Sequence, residues 1–207
     1  MRVIGYKVKA TSYSSTKPYI LGIHYAKRMP SISYSYGLFK DDIMVGIVCY
    51  GSPPSQSLCK GICGPEYKDK ILELNRLCLK NNLKNESSYL VAQSLKLLPK
   101  PRVIVSYADT SQNHIGYIYQ ATNFIYTGLS DKRTEWRMRG SDLHSKTICE
   151  KYTLQERKDN DMFYVTDRPR KHRYIYIIGN KKFIKQAKKD LRYPVSDYPK
   201  GVISNEK

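Results

Sequence analysis

The sequence predicts a mixed α/β fold: one sheet, antiparallel at its start, with a central βαβ crossover and helices on both faces. Three observations carry this. Two strand-like runs, 34–39 and 43–50, flank Lys40-Asp41-Asp42, a hairpin signal. Two further apolar runs, 71–79 and 103–105, are separated by a helix-spaced segment, the pattern of a parallel pair joined by a crossover. Late strand signals at 124–126 and 173–179 (RYIYIIG) complete a sheet that begins with hairpins and ends beyond the crossover.

Taken in order, residues 3–13 alternate as a first strand, and 20–28 predict a short helix. After the hairpin, residues 51–65 are rich in Gly, Pro, Ser and Cys and longer than a plain connector, which points to a functional or mobile loop. The run 71–79, ILELNRLCL, alternates polar and apolar residues and reads as a strand. Regular alternation puts Glu73, Asn75 and Leu77 on one face, with Leu74, Arg76 and Cys78 on the other. A polar turn follows at 81–88, where Asn85, Ser87 and Ser88 suit a helix N-cap. The helix beyond it places Val91, Leu95 and Leu98 on one stripe and stops at Pro99 and Pro101. The strand 103–105 ends in a polar corner, Ser106-Tyr107-Ala108-Asp109. A helix then carries Ile115, Ile118, Tyr119 and Thr122 on one face. Residues 129–172 read as irregular or as an inserted basic lobe. A basic helix is expected at 181–191. One domain over 1–195 is expected, with 196–207 as a flexible tail.

With 207 residues and 41% hydrophobic content, the chain can bury one substantial core. Its 36 Lys+Arg against 18 Asp+Glu give a net charge of +18, which argues for a polyanionic partner. The excess is present on both sides of residue 131, so it is no basic tail on a neutral body. A generally basic, solvated surface is the competing reading. No run of about 18 apolar residues is available to span a membrane. The first residues lack the apolar stretch of a signal peptide. Five cysteines, an odd number, then suggest reduced thiols in a cytosol; Cys59 and Cys63 lack a second pair to complete a zinc site. Nineteen tyrosines suggest core hydroxyls with hydrogen-bond partners and, in a basic protein, platforms for bases.

Open α/β sheets bind ligands beyond the carboxyl ends of their strands, so the two strand-to-helix turns are where chemistry is expected. The first, Asn85-Glu86-Ser87-Ser88-Tyr89, opens a helix whose free N–H groups suit phosphate. It has no glycine for close backbone approach, and an ordinary N-cap explains it as well. At the second turn, Asp109 and Gln112 fit a capping box. Asp109 also suits a general base or an acceptor for an exocyclic amine, beside Ser106 and Tyr107. His114, one turn into the expected helix, titrates near neutral pH. Tyr119 reads first as packing; Gln120, Asn123 and Tyr126 lie near the same pocket. Arg76, inside an apolar strand, needs a partner such as Asp109 or a ligand phosphate. His24-Tyr25 offers nitrogen and phenolate ligands to iron. Phosphate contact and base stacking suit Lys132, Arg133, Trp136, Arg137 and Arg139, and the run containing Arg168, Arg170, Lys171 and Arg173.

The blocks LELNRL (72–77), NESSYL (85–90), VSYAD (105–109), HIGYIYQATNFIYTG (114–128) and HRYIYI (172–177) together resemble the Mom family of phage DNA-modification proteins. That family is related to the GNAT acyltransferases, so the resemblance implies a GNAT-like, mostly antiparallel mixed sheet. It implies conversion of adenine N6 in double-stranded DNA to N6-carbamoylmethyl (acetamido) adenine, which protects phage DNA from host restriction in the cytoplasm of the infected bacterium. It implies acetyl-CoA as cofactor, with the pyrophosphate at Asn85–Tyr89, and Arg76, Ser88, Asp109 and Tyr119 as catalytic candidates. The Asn85–Tyr89 turn departs from the glycine-rich GNAT pattern. Adenine N6 is shielded in a stacked duplex, so a flipped base is expected. The alternatives are an N-acetyltransferase for another amine and a non-catalytic DNA-binding protein.

Overall fold

The computed structural model describes residues 5–143 and 145–200. In chain order the elements are β1 (Tyr6–Ala10), α1 (Tyr13–Lys17), β2 (Tyr34–Lys40), β3 (Ile43–Gly51), α2 (Gln56–Gly61), β4 (Ile71–Leu79) and α3 (Glu86–Leu97). They continue with β5 (Arg102–Asp109), α4 (Tyr117–Ala121), β6 (Ile125–Leu129), β7 (Arg133–Met138), α5 (Ser145–Lys151), α6 (Leu154–Lys158), β8 (Phe163–Arg168), β9 (Lys171–Ile178) and α7 (Lys181–Lys189). Seven strands form one sheet in the order β1-β2-β3-β4-β5-β9-β6, and β7 with β8 form a separate pair. Every neighbour in the large sheet is antiparallel except β4–β5. The expected mixed, mostly antiparallel sheet with a central crossover is therefore present.

The β2–β3 turn forms where expected. Asp41 (φ 48°) and Asp42 (φ 61°) both adopt the left-handed conformation that matches the twist of a tight hairpin. On one face, α3 lays Leu90, Val91 and Leu95 against Leu72, Leu74 and Ile104. On the other, Cys59 of α2 and Ala187 of α7 pack with Val103, Val105, Ile175 and Ile177. Helices thus cover both faces. No helix among the described residues is long and apolar enough to cross a membrane.

Two features of β4 prepare the site. First, β4 and β5 pair only from Ile71↔Val103 to Leu74↔Ser106 and then part. Second, Cys49 of β3 faces Arg76 while Tyr50 faces Leu74, so Asn75 is an extra residue, a β-bulge. The bulge overturns the simple alternation. Leu72, Leu74, Leu77 and Leu79 all join the α3 side, and Cys78 joins a cluster on the opposite face. Glu73 and Arg76 thereby share that opposite face, instead of Arg76 lying with Leu74.

Other expectations need correction. The early helix is α1, capped by Ser12 and continuing as a wide turn over Pro18–Ile23, so the helix expected at 20–28 begins and ends earlier. The loop 51–65 contains α2, because Ser55 accepts the Leu58 N–H as an N-cap. Residues 106–109 are no corner: they remain in β5, paired along β9 as far as Asp109↔Lys171. The helix expected to follow starts only at Tyr117, after Gly116 in the left-handed region, so His114 is in an exposed loop. Asp109 caps the short turn Thr110–Gln112 through Ser111, not through a Gln112 box. Between β6 and β9 the described residues form β7, α5, α6 and β8. The supposed tail is docked as far as it is described: Ser196 N–H donates to Tyr126 O at 3.0 Å, and the Tyr198 hydroxyl to Phe124 O at 2.7 Å. Residues 201–207 lie outside the described residues.

Candidate active site

The parting of β4 and β5 organises the site. Ser106, fully buried, ties the strands at their last paired position by donating its hydroxyl to Leu74 O at 3.0 Å. Tyr119, from α4, sits on the α3 side. Its ring lies 5.3 Å from Phe124 and 5.2 Å from Tyr174, and burial pushes its hydroxyl up to about 12, with Ser106 opposing. The Tyr119 phenol therefore stays protonated at neutral pH.

On the opposite face a cavity of about 440 Å³ opens, with Glu73, Tyr107, Lys171 and Arg173 among its lining. Burial raises the proton affinity of Glu73, while the charges of Arg76 and Lys171 oppose it. Burial likewise pushes the Tyr107 hydroxyl well up. Arg173 is fixed: it bonds Thr127 Oγ1 at 3.0 Å and Thr127 O at 3.1 Å, and its guanidinium lies 3.3 Å over the Tyr193 ring. Lys171 Nζ is 2.8 Å from Asp109 Oδ2. Burial works to raise the Asp109 pKa, but hydrogen bonds from Lys171 and Ser111 hold the carboxyl below its usual range. Of the two carboxylates, Glu73 is the better proton acceptor.

Arg76 does not pair with Asp109. It donates to Asn75 O at 2.6 Å and Arg28 O at 2.8 Å. Its Nε and the Asn75 Oδ1 are buried without hydrogen-bond partners, so the bulge holds polar groups the chain itself leaves unsatisfied. Around the carboxyl end of β4, His24 stacks on Tyr25 at 4.5 Å, and Tyr25 meets His114 edge-on at 6.4 Å. Burial, helped by Arg76 and His114, lowers His24 to about 4, so its imidazole is neutral at physiological pH. Among the described residues no group of three or more His, Cys, Asp or Glu is placed to hold a metal, and His24 with Tyr25 alone does not make an iron site.

The Asn85–Tyr89 turn is already occupied by its own chain. Glu86, 3% exposed, accepts from Leu83 N–H at 2.9 Å and from the Tyr6 hydroxyl at 2.6 Å. Ser87 donates to Asn82 at 3.0 Å, Ser88 to Asn85 O at 3.2 Å, and the Tyr89 hydroxyl to Tyr6 O at 3.3 Å. A buried carboxylate at this helix start opposes a pyrophosphate, so the turn does not fit the phosphate end of CoA.

The basic candidates divide. Arg170 turns inward to Ser130 O at 2.6 Å, as Arg173 does to Thr127, and Lys171 is taken by Asp109. Trp136 is covered on one side by the Arg157 guanidinium, 5.0 Å from its ring. Lys132, Arg133 and Arg168 are exposed. Arg137 is paired with Glu135, and Arg139 lies 5.4 Å over the Tyr164 ring.

Sequence reasoning passed over Glu73 as a site residue. Its signal was present: a lone carboxylate in an otherwise apolar stretch of a central strand, where an unpaired charge is costly.

The model of the Mom protein family matches residues 5–200. The chain is 25% identical over 217 aligned residues to the "Methylcarbamoylase mom" of Escherichia phage Mu, covering 96% of this chain and 88% of the relative. Among solved structures, it is similar to a Bacillus subtilis acetyltransferase in complex with CoA, with 12% identity, 84% of this chain and 97% of that chain covered, and a TM-score of 0.46. It is also similar to the ribosomal-protein-S5-alanine acetyltransferase of Vibrio fischeri, with 10% identity, 88% and 97% coverage, and a TM-score of 0.47.

Proposed function

The chain belongs to the Mom protein family, and from that premise we propose that it is a transferase acting on adenine N6 in double-stranded DNA. The product is N6-carbamoylmethyl adenine, and its use is to shield phage DNA from restriction in the cytoplasm of an infected bacterium. The name of the phage Mu relative, a methylcarbamoylase, supports the group transferred. The observation that carries the reading is Glu73, a half-buried carboxylate of raised proton affinity inside a cavity lined by cationic side chains, at the point where β4 and β5 part.

The chemistry asks for such a group. The N6 lone pair is delocalised into the purine ring, so the amine is a weak nucleophile until a base draws off its proton. Glu73 is that base. Arg76 and Lys171 favour its ionised form against the effect of burial, and Tyr107 beside it positions the ring. Asp109 acts by holding Lys171 and the 110–112 turn in place. Tyr119, protonated, presents its hydroxyl beside Ser106, at the last paired position of β4 and β5. A flipped adenine reaches the cavity, because N6 is inaccessible in the stack.

Acetyl-CoA is the proposed cofactor and would supply an activated two-carbon unit. Beyond Leu74 and Ser106 the facing edges of β4 and β5 no longer pair with each other, and this gap fits an extended, amide-bearing arm. Glu86 and the hydrogen bonds around it argue against a pyrophosphate at the Asn85–Tyr89 turn. Carbamoylmethyl attaches through a methylene carbon and carries an additional nitrogen, so simple acyl transfer does not make it: a nitrogen-bearing donor must displace the CoA thiol at the carbonyl, and a two-electron oxidant must accept the electrons released when the former methyl carbon joins N6.

The test is nucleoside mass spectrometry of DNA from a bacterial host expressing the chain. A modified deoxyadenosine of the carbamoylmethyl mass is expected. Unmodified deoxyadenosine alone, with folded protein present, would sink the proposal; acetylation of another amine without any need for DNA would favour an N-acetyltransferase instead.

A further inference from the structure

The β7–β8 pair offers a surface that the catalytic reading leaves unused. The ladder sets Arg133 directly opposite Arg168, Glu135 opposite Thr166, and Arg137 opposite Tyr164. These alternate positions share one face. The other face carries Trp136 and Phe163, covered by Arg157 of α6 and by Tyr152. The first face is open: Arg133, Tyr164 and Arg168 are exposed. It holds three arginines, and Arg139 reaches over Tyr164 to add a fourth. Glu135 is the one carboxylate among them; it pairs with Arg137 and lies 3.9 Å from Arg168 Nε. Arg133 has no salt bridge among the described residues.

Like charges directly opposite on a ladder destabilise it. Here the opposed pair also lines the cavity that holds Glu73. Among its lining residues Arg173 is buried and Glu73 and Tyr107 are half-buried, whereas Arg133 and Arg168 are exposed, so the pair stands at the rim. From 133 to 139 the row of cations extends about 20 Å away from that rim. Planar guanidinium forks suit phosphodiester oxygens. The other strongly basic element, α7, carries only lysines as cations and lines no part of this cavity.

We propose that Arg133 and Arg168 form a clamp for the DNA phosphate flanking the nucleotide that enters the cavity, and that Arg137 and Arg139 guide the strand onward along the same face. This rests on the reading of the cavity as the pocket for a flipped adenine. The anion relieves the repulsion of the opposed pair, and the clamp sets which nucleotide stands over Glu73.

The test compares the full chain with Arg133→Ala/Arg168→Ala and with Lys185→Ala/Lys189→Ala, a control of equal charge loss on α7. Duplex DNA binding is measured across salt concentrations, and adenine modification is measured separately by nucleoside mass spectrometry. Removing the two arginines that neutralise this one phosphate should lower the slope of log affinity against log salt by about 0.9. It should also cut the rate of modification at saturating DNA, whereas the control should change neither. The clamp variant should melt no lower than the parent, because it loses a like-charge pair. Equal losses in both variants, or none in the clamp variant, would overturn the clamp while leaving the adenine reading intact if the parent still modifies DNA. A parent that binds duplex DNA and forms no modified adenine would overturn the adenine reading, with the clamp then judged on the salt slope alone. A parent that binds no DNA overturns both.

Discussion

Lys171 Nζ lies 2.8 Å from Asp109 Oδ2 because the β5–β9 register sets the two residues opposite each other. The pair closes the carboxyl end of β5 beside the cavity. Asp109 spends its other oxygen on Ser111, accepting from its N–H at 3.0 Å and its hydroxyl at 2.7 Å. Burial works to raise the Asp109 pKa, yet these hydrogen bonds hold it low. Its contribution to stability is therefore present above the unfolded value of about 3.9 and is lost as pH falls through the folded value. Asp109→Asn keeps an oxygen for the Ser111 cap and should cost up to about 1 kcal/mol at neutral pH, as the loss of a partly exposed ion pair would. The difference from the parent should shrink in denaturant melts taken at descending pH. A constant difference down to pH 2 would contradict this role.

Glu73 behaves in the opposite sense. Its pKa is raised by burial, so the folded protein binds this proton more readily than the unfolded chain. The associated stability is full below the unfolded value and is lost as pH rises through the folded value. Glu73→Gln should therefore be at least as stable as the parent at neutral pH, and still lose adenine modification by about 10²-fold or more. In the parent, the acid limb of the rate profile should stand above the ordinary carboxylate range. Thermal melts alongside rate measurements separate loss of the base from loss of the fold.

Gly116 turns the chain into α4 with φ 81°, and a Cβ there would stand 2.4 Å from Cε2 of Tyr174. Tyr174 is fully buried and its hydroxyl donates to Ile115 O, so its ring has little room to yield. Gly116→Ala should destabilise by at least about 2 kcal/mol, from the conformational cost and the clash together. It should also displace Tyr119. Chemical denaturation gives the first effect and modification rate the second.

The buried Tyr50 hydroxyl lies 2.6 Å from Ser94 Oγ, joining β3 to the crossover helix. Because Ser94 also donates to Val91 O at 2.9 Å, Tyr50 is the donor to Ser94 in that arrangement. Ser94→Ala leaves the Tyr50 hydroxyl stranded and should cost about 1–3 kcal/mol. Adding Tyr50→Phe should recover part of the loss, since no polar group is then orphaned. Additive losses in the double-mutant cycle would rule this out.

Much of the fold is legible in local pattern. The strand expected at 71–79 coincides with Ile71–Leu79, because a central strand between two helical layers alternates strongly enough to read. The helix over Glu86–Leu97 is legible from its apolar stripe and its proline stop. The helix expected at 20–28 lies earlier in the chain, because Ser12 caps α1 and Pro18 sits where a further helical segment begins. The site was less legible. Asn75 looks like any residue of an alternating strand, and only the register against β3 reveals the bulge that moves Arg76 to the face of Glu73. The basic run at 168–173 reads as one patch, but strand geometry turns Arg173 inward, binds Lys171 to Asp109 and leaves Arg168 at the cavity rim.

The amino-acid order alone establishes the succession of strands and helices, the excess of positive charge and the blocks that mark the family. Those properties depend on near neighbours: backbone periodicity, caps, turn residues and composition. Which carboxylate lies in the cavity, which cation holds Asp109 and which arginines meet at the cavity were decided by tertiary structure. Each depends on register between strands far apart in the chain. Burial then raises the proton affinity of Glu73, and hydrogen bonds from Lys171 and Ser111 lower that of Asp109.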